Sequence, residues 1–265
     1  IYFSIIINFL LKRTFNFVFI INDNLLNLSD LGHLNKKRTN QKELLDRFID
    51  GPVKFLIKNN FSPNILSFIG FLFSLGAAFL IGLNFLYDFF WFAWLVPFLM
   101  FWAGAFDVFD GEVARRTGKI TKSGAFLDSN LDRLSDALLI LGLIFSGFIN
   151  YILGYFIMFL IIMISYIRAR AESEGIDMRG VGFMERAERL IILMVALSVE
   201  TWIYHFSYII TGIRWTVLIP LITSIPVTWF FLFFISGFIT LLIITVCQRL
   251  IHTFKSLSKI DVRKD

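Results

Sequence analysis

Four aspartates lie in two closely spaced pairs where two long apolar stretches meet: Asp107 with Asp110, and Asp128 with Asp132. Residues three or four positions apart share one face of a helix, so each pair would present its carboxylates on the same side. Converging carboxylates repel one another and lose hydration, and a divalent cation relieves both costs. Oxygen ligands of this kind suit Mg²⁺, Mn²⁺ or Ca²⁺, and we therefore expect a metal site here.

Small residues and an arginine accompany these aspartates. Gly111, Ala114 and Gly124 leave room for a large ligand to lie against the backbone. Arg115 offers a fork of donors that matches a phosphate group. Metal ligands, small residues and an arginine together favour a substrate that carries a pyrophosphate. The competing interpretation is that the aspartates are solvated or pair with neighbouring arginines.

A second chemically active stretch, "SYIRARAESEGIDMRGVGFMERAERL", covers 165–190. It contains five arginines and no lysine, a set suited to binding a phosphate on a second substrate. It also contains five acids. Three pairs have the i, i+4 spacing of ordinary helix salt bridges: Arg168–Glu172, Arg170–Glu174 and Glu185–Arg189. The charge pattern alone leaves phosphate binding and surface pairing equally open.

The elements that must position these residues are membrane helices. The chain has 265 residues, is 57% hydrophobic and has a mean hydropathy of +0.74, which leaves too little polar surface for a soluble domain. We predict an all-α integral membrane protein, a bundle of six transmembrane helices. The six apolar stretches lie near 64–86, 89–109, 126–149, 151–168, 189–210 and 227–248.

The flanking segments are more polar. Residues 1–41 are read as a poorly defined N-terminal extension, and 42–60 as an amphipathic interfacial helix that precedes the bundle. Residues 61–255 would form the six-helix domain, with Pro63 at its first helical position, and 256–265 a basic cytoplasmic tail. An even number of membrane crossings places both ends of the bundle on the same side of the membrane. Lys and Arg are concentrated on that side, which also contains the aspartates, so we predict that it is the cytoplasmic side of the cell membrane.

Other sites are not supported by the composition. The net charge of +5 is better explained by cytoplasmic loops beside anionic lipid than by nucleic acid. The single cysteine, Cys247, excludes a disulfide framework, and the three histidines are too dispersed for a ligand cluster. No Walker lysine loop or dinucleotide fingerprint is present.

The aspartate segment resembles the signature of the CDP-alcohol phosphotransferase family, D-x2-D-G-x2-A-R-x8-G-x3-D-x3-D, at all eight fixed positions. The resemblance covers about 42–255. It implies a transferase that displaces CMP from a CDP-linked lipid and that binds two divalent ions, Mg²⁺ or Mn²⁺. It also implies that the protein is a homodimer. It also implies that the metal ligands are Asp107, Asp110, Asp128 and Asp132, and that Asp132 is in addition the general base. The residues that it implies bind CDP are Asp110, Gly111, Ala114, Arg115 and Gly124.

The stretch "YIRARAE…GFMERAERL" is similar to the inositol-phosphate branch of that family, the phosphatidylinositol phosphate and archaetidylinositol phosphate synthases. That similarity implies that Arg168, Arg189 and Arg249 bind the acceptor phosphate. The donor would be CDP-diacylglycerol or CDP-archaeol. Glycerol-3-phosphate is the alternative acceptor, and a cation-coupled transporter is a more distant alternative.

Overall fold

The computed structural model describes residues 49–88, 90–178 and 180–262, with side chains as far as 258. The predicted extension 1–41, the start of the 42–60 helix and the end of the basic tail lie outside the described residues. The helices are α1 (49–58), α2 (Pro63–Gly82), α3 (Phe85–Asp88), α4 (Leu95–Thr117), α5 (Lys122–Phe145), α6 (Tyr151–Ser173), α7 (Arg186–Thr211) and α8 (Trp229–Val262). Two short strands, β1 (Thr216–Val217) and β2 (Val227–Thr228), pair antiparallel between α7 and α8.

The prediction of a mainly helical membrane protein is confirmed. Within the described residues, four helical segments are long and apolar enough to cross a bilayer: Pro63–Gly82, Tyr151–Ser173, Arg186–Thr211 and Trp229–Ser258. Helices α4 and α5 have the necessary length, but charged residues occupy the end of α4 and the start of α5. The two further crossings therefore stay a prediction.

The described chain separates into two compact units. One comprises 49–63 and Phe109–Lys119, and it contains α1 and the end of α4. In this unit Arg116 donates to Asp50 on α1 at 2.5 Å and to Glu112 at 2.7 Å. Lys54 pairs with the same Asp50 at 2.6 Å. Ion pairs therefore attach α1 to the end of α4.

The second unit, which begins at Asn64 and excludes 109–119, is held by close helix packing. A Cβ atom added to Gly142 of α5 would lie 2.5 Å from the Ala78 carbonyl oxygen of α2. One added to Gly70 of α2 would lie 3.2 Å from Phe106 Cβ of α4. The Gly142 contact requires glycine, the Gly70 contact is tight, and together they hold α2 against both α4 and α5. Asp107 and the start of α5 are positioned by this packing.

A buried carboxylate, Glu200 of α7, fastens the strand pair to the helices. Its side chain is 0% exposed and accepts hydrogen bonds from the Tyr87 hydroxyl and the Thr228 hydroxyl. The Thr228 backbone N–H also donates to it at 2.9 Å. No role for this acid is evident from the sequence, because its partners lie far away along the chain.

Candidate active site

The start of α5 is fixed by a side-chain cap. Thr121 has extended backbone angles (φ −124°, ψ 150°), and its hydroxyl oxygen accepts a hydrogen bond from the Gly124 N–H at 3.0 Å. Such a cap satisfies a backbone donor that the first helical turn leaves unpaired. From this start, Asp128, Asp132 and Asp136 recur every four residues and share one face of α5.

Three of the predicted metal ligands lie close together. Asp107, Asp110 and Asp128 can each present one carboxylate oxygen, and these atoms lie within 4.8 Å of one another. Asp110 is buried, with 6% of its surface exposed. Three hard oxygen donors at this separation fit a divalent ion such as Mg²⁺ or Mn²⁺.

The fourth aspartate, Asp132, is joined to Asp107 by an arginine. The Nη1 atom of Arg186, at the start of α7, lies 2.5 Å from Asp107 Oδ1 and 2.7 Å from Asp132 Oδ1. Asp128 and Asp136 lie close enough for electrostatic attraction to the same guanidinium. Arg186 therefore neutralises part of the repulsion within the acidic group.

One turn further along α7, Arg189 pairs with Asp136. Its Nη2 atom lies 2.6 Å from Asp136 Oδ2, and both side chains are more than nine-tenths buried. The Arg189 Nε atom is buried and has no hydrogen-bond partner among the described residues. A buried donor without a partner is costly, and an incoming anionic group would satisfy it.

The segment between α6 and α7 packs against α8 through Arg249. Its Nε atom donates to the Val181 carbonyl at 3.0 Å, and Nη1 donates to the Ile164 carbonyl at 2.7 Å. Gly182 has φ +107°, and a Cβ atom there would lie 2.9 Å from Arg249 Nε. Glycine is needed both for this backbone conformation and for the close contact.

Of the three arginines predicted to bind an acceptor phosphate, Arg249 lies close enough to the other two to interact with both. Arg249 experiences electrostatic repulsion from Arg168 and from Arg189. Glu172 and Glu185 partly offset that repulsion. A group of guanidinium cations of this kind is suited to binding a phosphate dianion.

Some of the salt bridges expected from the sequence do form. Arg168 pairs with Glu172 at 3.0 Å, and Arg170 pairs with Glu174 at 2.6 Å. The side chain of Arg189 pairs with Asp136, although the spacing had suggested Glu185. Arg168 therefore already has an acidic partner, which it holds through its Nε atom.

The residues predicted to bind CDP are placed as follows. Asp110, Gly111 and Ala114 follow one another along α4. The Arg115 guanidinium pairs with Glu112 at 2.7 Å, and a Cβ atom on Gly111 would lie 3.6 Å from Arg115 Nη1. At Gly124, a Cβ atom would lie 2.9 Å from Thr121 Oγ1 and 3.2 Å from Asn64 Oδ1.

Two residues of the site received no role from the sequence. Arg186 was one of five arginines in its segment, and nothing in its spacing singled it out. Asp136 continues the four-residue repeat of Asp128 and Asp132. That repeat was the available signal, and its third member, Asp136, pairs with Arg189 of α7.

Comparison with known proteins gives consistent results. A family model described as CDP-alcohol phosphatidyltransferase matches residues 60–220. The archaetidylinositol phosphate synthase of Pyrococcus horikoshii is 37% identical over 164 residues, which are 62% of this chain and 81% of that protein.

Two solved structures of the phosphatidylinositol phosphate synthase of Mycobacterium tuberculosis resemble this fold, each with a TM-score of 0.59 and 25% identity over 78% of this chain. One is a complex with manganese and citrate, with 88% of that chain covered. The other has CDP-DAG bound, with 94% of that chain covered.

Proposed function

The chain belongs to the CDP-alcohol phosphatidyltransferase family, and we propose that it transfers a lipid-phosphate group from a CDP-lipid to the hydroxyl of inositol phosphate, with release of CMP. It is an enzyme of a divalent-metal-dependent family. The observation that carries the proposal is the group of three carboxylate oxygens within 4.8 Å of one another. The named activities of the relatives from Pyrococcus horikoshii and Mycobacterium tuberculosis support the choice of acceptor.

The donor is assigned to the aspartate segment. Asp107, Asp110, Asp128 and Asp132 would hold two divalent ions, which when bound neutralise the charge of the pyrophosphate and of the departing CMP. The other CDP-binding residues, beside Asp110, would be Gly111, Ala114, Arg115 and Gly124. Arg115 would leave Glu112 to donate to a phosphate oxygen.

The reaction forms one bond and breaks one. The acceptor hydroxyl oxygen attacks the phosphorus that carries the lipid, and the bond from that phosphorus to the oxygen of CMP breaks. Asp132 would take the hydroxyl proton, because an alcohol is a weak nucleophile until a base removes it. Arg186 contacts Asp132 Oδ1 at 2.7 Å and would keep this carboxylate oriented.

The acceptor is assigned to Arg168, Arg189 and Arg249. The proximity of Arg249 to the other two arginines and the Nε atom of Arg189, which has no partner among the described residues, support a phosphate site. These arginines lie beside the acidic group, since Asp136 pairs with Arg189 and attracts Arg186. A phosphate bound there would leave the rest of the acceptor near Asp132.

The proposal is tested by measuring CMP release from CDP-lipid with Mg²⁺ or Mn²⁺ and one acceptor at a time. Inositol phosphate should support turnover, whereas glycerol-3-phosphate, serine and a sample without acceptor should not. Asp132→Asn should lower turnover by about 10²–10⁴-fold, the usual contribution of a general base. Asp88→Asn, at an exposed position outside the site, should have no effect.

Two outcomes would change the assignment. If glycerol-3-phosphate were the one acceptor that supported turnover, the same arginines would bind its phosphate, and the enzyme would be a phosphatidylglycerophosphate-type synthase. Absence of CMP release with every acceptor would contradict the proposed reaction. The transporter alternative is not retained, because the family is one of transferases.

The membrane arrangement is part of the proposal. Helices α4 and α5 would be two further crossings beside the four apolar segments, with the site on the cytoplasmic side of the cell membrane. Residues 42–60 would lie at the bilayer surface ahead of the 61–255 domain, between the 1–41 extension and the 256–265 tail. A homodimer is what the family resemblance implies.

A further inference from the structure

Arg186 is a cation in direct contact with two of the aspartates proposed to bind divalent ions. One of its nitrogen atoms, Nη1, contacts Asp107 Oδ1 at 2.5 Å and Asp132 Oδ1 at 2.7 Å. The side chain is 19% exposed, so water screens its charge weakly. Its buried Nε atom has no hydrogen-bond partner among the described residues.

The same guanidinium also acts on the neighbouring acids. Asp128, in the group of three carboxylates, and Asp136, beyond Asp132, both attract it. A divalent ion held by Asp107 and Asp128 would be repelled by the charge of Arg186, whose Nη1 atom lies 2.5 Å from Asp107 Oδ1. Removing that positive charge would leave the acids more repulsive toward one another and more attractive toward a metal ion.

We propose that Arg186 is a positioning residue that competes electrostatically with divalent ions for Asp107 and Asp132, and so sets the metal affinity of the site. This inference rests on the proposed function, because it takes these aspartates as metal ligands. Arg186 would keep metal binding weak enough for exchange while holding Asp132 in place. A purely structural salt bridge would behave in the opposite way, since its loss would disorder the ligands and weaken binding.

The test is Mn²⁺ binding to the full chain in detergent, measured from the electron paramagnetic resonance signal of free Mn²⁺, with neither CDP-lipid nor acceptor present. Arg186→Gln should bind Mn²⁺ about tenfold more tightly than the unaltered chain, a typical coupling between contacting residues. Arg186→Lys keeps a charge but can reach fewer carboxylates, and should lie between the two. Arg170→Gln removes an exposed arginine paired with Glu174 and should leave Mn²⁺ binding unchanged.

Thermal unfolding supplies a second measurement. Without Mn²⁺, Arg186→Gln should unfold at a lower temperature than the unaltered chain, because the acids lose a partner. A tighter ligand stabilises the folded state more, so the same variant should gain more from saturating Mn²⁺. If Arg186→Gln cannot be purified folded, the same comparison is made with Arg186→Lys.

Unchanged or weaker Mn²⁺ binding in both variants would overturn the inference. The outcome is distinguishable from failure of the proposed function, because metal binding is measured without substrates. Tighter binding in Arg186→Gln, with no CMP release from the unaltered chain under any condition, would refute the reaction and leave the inference standing. CMP release from the unaltered chain without tighter Mn²⁺ binding in either variant would refute the inference alone.

Discussion

The Arg189 guanidinium has one nitrogen in an ion pair and another without a hydrogen-bond partner among the described residues. Its Nη2 atom pairs with Asp136, while its Nε atom has no partner among the described residues. Repulsion from Arg249 adds to the cost of burying its charge. An arginine can keep one partner and donate to another at the same time, which a lysine does less well because its charge is a single point.

We predict that Arg189→Lys raises the KM for inositol phosphate about tenfold or more and leaves the KM for CDP-lipid unchanged. The positive charge is retained, but a charged hydrogen bond to the acceptor phosphate is lost. Steady-state CMP release at varied concentrations of each substrate measures both constants. Arg170→Lys, at the exposed pair with Glu174, is the matched control. An equal rise in both KM values would point to general damage instead of a lost acceptor contact.

The residues of the site differ in how far the sequence could predict them. Asp107 and Asp110 have the spacing of one helix face, Asp128 belongs with them to a long signature, and the structure brings the oxygens of all three together. Whether Arg168 pairs with Glu172 or with a substrate was left open, and the salt bridge is present. The bridging role of Arg186 could not be foreseen, because it depends on how three helices pack.

At the scale of elements, α7 connects two polar centres. Arg186 lies at its start, and Glu200 lies fourteen residues later, about 20 Å along the helix axis. Glu200 holds Tyr87 and the strand residue Thr228. An acid in the middle of an apolar helix does not reveal its partners in the sequence, so these contacts could not be predicted.

We predict that Glu200→Ala lowers the free energy of unfolding by about 3 kcal/mol or more. The change leaves the Tyr87 and Thr228 donors buried without an acceptor, and each such donor costs roughly 1–3 kcal/mol. Glu200→Gln keeps one acceptor oxygen and should cost less. Denaturant unfolding in mild detergent measures both, and Glu174→Ala, at an exposed pair, should change stability by less than about 1 kcal/mol. A loss no larger than that control would show that the network is not stabilising.

Helix α1 is attached by exposed ion pairs instead of by a buried network. Hydrogen bonds from Lys54 and Arg116 hold the pKa of Asp50 below its ordinary value of 3.8. Hydrogen bonds from Arg116 and Arg115 hold the pKa of Glu112 below 4.5. A lowered carboxyl pKa adds stability that is fully present above the ordinary value and is lost as pH falls through the lowered one.

We therefore predict that the attachment of α1 is constant between about pH 5 and 8 and weakens below about pH 4. A nitroxide label at Lys58→Cys, in a Cys247→Ser background, should become more mobile only in the acidic range. Asp50→Asn should raise label mobility already at neutral pH. Asp88→Asn should leave the profile unchanged, and a transition near neutral pH would contradict this account of the attachment.

At the scale of the whole molecule, function and membrane insertion place opposing demands on α4 and α5. Their apolar parts have the length of a crossing, while the end of α4 and the start of α5 carry the aspartates. A charged residue is costly inside a bilayer and tolerable at its edge. We infer that these helices cross with their charged ends at the surface. Their charge explains why four of the described helices are apolar enough to cross while the sequence pattern predicts six crossings.

The position of Lys119, in the turn between α4 and α5, distinguishes a topology of six crossings from one of four, because the two place it on opposite sides of the membrane. With six crossings it lies on the same side as Glu174, beside the acceptor arginines; with four it lies on the same side as Leu221. We predict that Lys119→Cys, in a Cys247→Ser background, is labelled by a membrane-impermeant maleimide in the same vesicle orientation as Glu174→Cys. Leu221→Cys should be labelled in the opposite orientation. Labelling of Lys119→Cys together with Leu221→Cys would place the α4–α5 turn on the wrong side and separate the aspartates from Arg186, which the 2.5 Å contact between Arg186 and Asp107 does not permit.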